Sequence, residues 1–243
     1  MSNNQELLDK VITAHGGVER WGSISEITAR FRTGGLLFFS KFVSSKVKRI
    51  EITVSTNRPY AVVSPFPTIG YKGILDKDMV YIESGDGKKV QERANSKSFF
   101  KSFRHNLWWD SLDTLYFVGY ASWNYLCTPF MFLLPGFEIE EIDSWYESGE
   151  KWNRLKVIFP ADFPTHCREQ IFYFNSDGFL KRHDYTAEVV GNWAKAAHYC
   201  FEHKNFSGLI VPTKRRVFPR RQNNNSFPIA NIVSIDIEDI FIS

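Results

Sequence analysis

Gln170-Ile-Phe-Tyr-Phe-Asn-Ser-Asp-Gly-Phe-Leu-Lys-Arg-His-Asp-Tyr-Thr-Ala-Glu-Val-Val-Gly-Asn-Trp-Ala-Lys-Ala-Ala-His-Tyr-Cys200 holds three strand-like runs and two turn signals. Asn175-Ser-Asp-Gly178 is hairpin chemistry, and Gly191-Asn192 has glycine first, as a type II′ turn requires. If Val190 faces Trp193 across that turn, Glu188 lies opposite Lys195, Asp184 opposite Tyr199 and Arg182 opposite Phe201. An opposite-charge pair and a cation–aromatic pair then fall into register.

Alternation assigns the two faces. Phe179, His183, Tyr185, Ala187 and Val189 share one face with Ala194, Ala196, His198 and Cys200. An even-length first turn adds His166, Gln170, Phe172 and Phe174. The opposite face carries Glu169, Arg182, Asp184, Glu188 and Lys195 and reads as solvated. His166, Gln170, His183, Tyr185 and His198 therefore project from the apolar side. Each costs roughly 1–3 kcal/mol there unless hydrogen-bonded. Four readings are open: mutually satisfied core groups, a ligand site beside the small Ala187, Ala194 and Ala196, acid–base catalysis by His183, His198 and Tyr185, or a metal held by histidines and Cys200. The last lacks zinc-motif spacing, so no metal is expected. In His183-Asp184-Tyr185 successive strand residues point oppositely, so Asp184 does not orient the His183 ring.

Outward from this block the chain reads as antiparallel hairpins. Leu7, Leu8, Val11 and Ile12 recur at helical spacing and stop at Gly16-Gly17. Strand patterns occupy residues 35–43, 47–54, 60–63 and 79–83, then 137–142, 152–159, 166–174, 179–190, 193–206, 209–218 and 229–242. Residues 96–136 differ: aromatics at mixed spacing, then no charge across residues 115–134. That run is about long enough to span a bilayer, but Gly119, Ser122, Asn124, Thr128 and Pro129 interrupt it. It is expected to be a buried inner element of one or two helices, with a membrane-touching surface as the alternative. The chain thus reads as one α+β, mainly antiparallel domain over residues 1–243, with an aromatic helical insertion at 96–136.

The composition is that of a folded soluble chain: 243 residues, 43% hydrophobic and 16% aromatic, so the interior is rich in rings. A net charge of +3 is too small to imply nucleic acid. Basic residues cluster at 41–49 and 214–221, as a solvated strand face or a surface for anionic head groups. Three cysteines without CxxC spacing fit a reducing compartment. The first residues carry no signal-peptide pattern, so a cytoplasmic location is expected. GxSxG, P-loop, GxGxxG and HExxH are absent, and no cofactor is expected.

Three features resemble the outer-membrane lipoprotein-sorting fold, the LolA/LolB-like half-barrels. They are the helix ending Ala14-His-Gly-Gly-Val-Glu-Arg-Trp21, the hairpin of residues 170–180, and Gly208-Leu-Ile-Val-Pro-Thr213 followed by Ile235-Asp-Ile-Glu-Asp-Ile240. The whole chain looks like a cytoplasmic bacterial branch of that fold. The resemblance implies a half-barrel-like domain, a curved sheet wrapped around the N-terminal helix and the helical insertion and holding acyl chains in its concave face. It departs in lacking a signal peptide and in the long aromatic insertion, and no catalytic residue carries over. The expected function is binding of a lipid, isoprenoid or polyketide-like molecule, or else a cyclase, isomerase or hydrolase in the same cavity. Ligand contacts are expected from His166, Gln170, Phe172, Phe174, Phe179 and Cys200, and from Trp108, Tyr116 and Trp123 of the insertion. Peripheral membrane contact is an open partner expectation.

Overall fold

A computed structural model describes residues 3–102 and 104–243, the side chains of Asn3 and Asn4 excepted. Helices α1 (Asn3–Ala14) and α2 (Gly17–Gly22) precede β1 (Glu26–Gly34), and α3 (Leu36–Ser40) and α4 (Ser44–Val47) follow it. A meander of β2 (Arg49–Ser55), β3 (Tyr60–Ser64), β4 (Tyr71–Asp76), β5 (Met79–Ser84) and β6 (Lys89–Arg93) comes next. The insertion holds α5 (Ser96–Phe99), α6 (Arg104–Leu107), α7 (Ser111–Cys127) and a 3-10 turn at Phe130–Leu133. A second meander runs through β7 (Glu138–Glu147), β8 (Glu150–Ile158), β9 (Glu169–Phe174), β10 (Leu180–Thr186), β11 (Lys195–Phe206), β12 (Leu209–Pro219) and β13 (Val233–Ile242).

All thirteen strands form one antiparallel sheet in the order β6-β5-β4-β3-β2-β1-β13-β12-β11-β10-β9-β8-β7. The two meanders are wings joined where β1 pairs with β13, and the ends β6 and β7 stay apart, so the curved sheet is an open half-barrel. This is the expected fold class. The run at 35–43 is not a strand. Gly35 turns the chain out of the sheet at φ 113°, and an added Cβ there would meet the Ile232 carbonyl oxygen at 2.3 Å. Leu37 and Phe38 then face inward from α3. A short apolar run does not by itself distinguish strand from buried helix.

The β10–β11 connection also differs from the expected two-residue turn. The Ala187 N–H donates to the Ala194 carbonyl (2.9 Å), and both the Val190 and Gly191 N–H groups turn back to the Ala187 carbonyl (2.8 and 3.0 Å). The loop is wider and the register moves by two. His183 sits opposite His198, Tyr185 opposite Ala196, and Arg182 opposite Tyr199. Glu188 pairs with Lys97 (3.0 Å) rather than Lys195. An even shift leaves every side chain on its assigned face.

Helix α7 fills the concave face. Asp110 and Asp113 close a capping box at its start, and Leu112 through Cys127 are all buried. A helix apolar on all sides belongs in an interior. None of the described helices is long and apolar enough to cross a membrane. Glycines set the depth of the seat: a Cβ on Gly119 would meet Leu75 Cβ at 2.9 Å, and one on Gly73 would meet Leu115 Cδ1 at 2.5 Å. Gly119→Val should therefore overpack the contact between α7 and β4 and lower stability by about 1–3 kcal/mol. Urea unfolding at unchanged m-value measures this; an unshifted midpoint would show that the helix is loosely held.

Candidate functional site

The inward residues of β9, β10, β11 and β12 meet α7 in a buried polar layer. His166 lies between two phenols of α7: Tyr120 Oη is 3.0 Å from Nδ1 and Tyr125 Oη 2.8 Å from Nε2. A neutral ring donates from one nitrogen and accepts at the other, so it satisfies both. Tyr185 stacks on His166 with centroids 3.8 Å apart, and its hydroxyl is 3.3 Å from that of Tyr125. Gln170 donates from Nε2 to Thr165 Oγ1 (2.6 Å) and the Cys167 carbonyl (2.7 Å). Its Oε1 is therefore the acceptor for His183 Nε2 (2.5 Å), which fixes that tautomer. Phe172 stacks on the His183 ring at 4.1 Å.

His198 differs from its neighbours. It is 0% exposed, and among the described residues neither ring nitrogen has a hydrogen-bond partner. The ring stands perpendicular to Tyr125, centroids 4.7 Å apart. The Arg215 guanidinium carbon also lies over Tyr125, 5.0 Å from the ring centre. Arg215 donates to Cys200 Sγ (3.2 Å) and to the Tyr125 carbonyl (2.9 Å).

Burial dominates the electrostatics. It pushes His166 down to about 3, with Lys97 adding to the effect. It holds His183 and His198 well below the usual histidine range, with Arg215 adding in both cases. Burial pushes the Tyr120, Tyr125 and Tyr185 phenols up, and raises the Cys200 thiol against the pull of Arg215. At neutral pH the layer is a set of neutral imidazoles, protonated phenols and one thiol around a single guanidinium.

The structure brings together His166, Gln170, Phe172, His183, Tyr185, His198 and Cys200. Phe174 is buried in the common core. Phe179 instead joins a separate ring cluster with His15 (6.0 Å) and His203 (5.3 Å). Tyr116 packs its ring, tilted, against Tyr120 one turn away (5.1 Å). Trp123 faces the other wing and donates to the Ser55 carbonyl (2.7 Å). Trp108 is 44% exposed and lies under Arg104, outside the site, because the insertion's early residues cap α7 rather than enter the sheet. Tyr120, Tyr125 and Arg215 were missed. Alternation along β12 carried the signal for Arg215, which shares a face with Val211, Thr213 and Val217. Among the described residues no three His, Cys, Asp or Glu side chains converge as a metal would require.

The opposite face is solvated at Glu169, Glu188 and Lys195, as expected, but not at Arg182 and Asp184. Arg182 is 0% exposed and donates to both oxygens of Asp184 (2.7 and 2.8 Å) and to Glu147 (2.7 Å). Trp145, Trp152, Tyr173 and Tyr199 pack around it. At the start of α7, Ser102 Oγ, His105 and Asp113 line up at 2.7 and 2.9 Å. The order suggests a hydrolase relay, but Asp113 is already shared between Arg93, Arg104 and the Asp110 N–H. That is the arrangement of a helix cap.

Solved structures with a similar fold include a LolA superfamily protein from Nitrosomonas europaea (10% identity, TM-score 0.53, covering 100% of this chain and 94% of that one). A putative outer membrane lipoprotein-sorting protein domain from Vibrio parahaemolyticus matches at 8% identity and TM-score 0.54, over 99% and 92% of the two chains. A DUF1329 family protein from Desulfovibrio piger matches at 12% and 0.52, over 100% and 94%. The fold is LolA-like. No protein-family model and no curated protein matches the sequence.

Within this LolA-like half-barrel, five histidines are held below their ordinary values by burial. The unfolded chain binds protons at these rings near pH 6.5 and the folded chain does not. Their contribution to stability is complete above about pH 6.5 and is lost as pH falls toward the folded values, at up to about 1.4 kcal/mol per pH unit for each ring. Urea midpoints should fall from pH 7 to pH 5, above the carboxylate range, and the fall should be shallower in His166→Phe. A flat profile would contradict neutral burial.

Proposed function

We propose that the protein binds an apolar or amphipathic small molecule of the lipid, isoprenoid or polyketide kind, between α7 and the β1–β13 side of the sheet. The observation that carries this reading is the one-sided seating of α7. The helix is pinned against β4 by Gly119 and Gly73, whereas toward β1 and β13 it leaves a crevice lined by Phe31, Phe38, Phe117, Ala121, Tyr125 and Ile235. The crevice has about 20 Å³ of free volume, room for about one water. A ligand therefore enters by displacing side chains, with α3 as the movable cover. Apolar burial at roughly 25 cal/mol per Å² supplies the driving force, less the ordering cost.

The outer side of α3 supports loading at a membrane. Phe38 closes the crevice from within, while Phe39 and Phe42 are 74% and 81% exposed. Lys46, Lys48 and Arg49 follow closely in the chain, a combination suited to an anionic lipid surface. Acid–base catalysis by His183, His198 and Tyr185 draws less support. Burial moves all three away from neutral pH, where a general acid or base works best.

Nile red, an uncharged probe, should gain fluorescence on the wild-type protein, and Ala121→Phe, which fills the crevice, should abolish the gain at an unchanged far-UV spectrum. In vesicle co-sedimentation, Phe39→Ser with Phe42→Ser should lose binding to phosphatidylserine vesicles while still taking up Nile red. Equal Nile red response in wild type and Ala121→Phe would reject the crevice as the site.

A further inference from the structure

Two buried arginines stand on opposite faces of the same sheet, and the protein treats them differently. Arg182 has two carboxylates and a backbone carbonyl around it. Arg215, 1% exposed, has no carboxylate paired with it among the described residues, and its Nε has no acceptor. Its two acceptors are a thiol and the Tyr125 carbonyl. Burial holds Cys200 as a thiol, so it brings no charge. The Tyr125 carbonyl belongs to the last turn of α7, whose dipole offers about half an elementary charge. A guanidinium keeps its proton in proteins, and an uncompensated buried charge is among the most costly features a fold can carry.

His198 adds a second, independent vacancy for a polar atom. It lies two residues from Cys200 on β11, and Cys200 is directly opposite Arg215 on β12. Arg215 and His198 thus both pack on the Tyr125 ring, and Tyr125 itself lines the apolar crevice. Ile235, opposite Arg215 on β13, lines it as well.

From this geometry we infer that the ligand is a long-chain carboxylate: its head group accepts hydrogen bonds from Arg215 Nε and the His198 ring, and its tail lies in the crevice between α7 and β1–β13. A single guanidinium beside a neutral imidazole matches a monoanion. A carboxylate also presents two acceptors to the two idle donors, and it is small enough for a closed site. The inference rests on the ligand-binding reading above and specifies its head group.

The test compares cis-parinaric acid with its methyl ester, which differ only in the charged head. Wild type should bind the acid about ten- to hundredfold more tightly than the ester, the range of one charge-assisted contact. Arg215→Met should bind acid and ester alike, and Arg215→Lys should keep part of the preference. His198→Phe should weaken the acid and leave the ester unchanged. Equal binding of acid and ester by wild type overturns the carboxylate inference but leaves the apolar site standing. Binding of neither removes the site itself. If Arg215→Met fails to fold, the wild-type comparison and Arg215→Lys still decide.

Discussion

Burying a complete helix inside an open sheet is the constraint from which the rest follows. Every polar group that α7 brings inward needs a partner, because water does not reach it. Trp123 finds the Ser55 carbonyl, and Asn124 Nδ2 reaches the Pro164 carbonyl while its Oδ1 accepts from Thr165. Tyr120 and Tyr125 converge on His166. Asp110 and Asp113 close the helix start against Arg93 and Arg104. The histidine layer is largely a consequence of seating this helix. His166, Gln170 and His183 are a satisfied network, and His198 and Arg215 are the departures from satisfaction on which the proposed head-group site rests.

The seat is asymmetric. Against β4 the backbone approach is set by glycines and leaves no slack. Toward β1 and β13 the contact is between side chains, with α3 laid over the gap. Interiors are close-packed and respond to added volume discretely, so the proposed ligand would open the side that already has a crevice.

Much of this was legible in residue order. Alternation from Gln170 to Cys200 assigned inward faces correctly even though the turn register was wrong by two, since an even slip preserves them. The uncharged run at 115–134 announced an interior helix because it had interruptions no bilayer span needs. Charge was less legible. Arg182 and Asp184 were read as wet because a charged residue is rarely buried without partners, and those partners, Glu147 and Asn224, come from distant parts of the chain. Residues 35–43 failed because one glycine at positive φ redirected an apolar run that otherwise fits a strand. Trp108 was assigned by composition alone, which says nothing about direction.

The central claim is that the concave face accommodates a guest beside α7. Native mass spectrometry of protein isolated without detergent addresses it most directly. The account predicts a charge-state series displaced by the mass of one small organic molecule, reverting to the chain mass after solvent extraction and restored by incubation with a lipid extract. A single series at the chain mass in all three samples would contradict it.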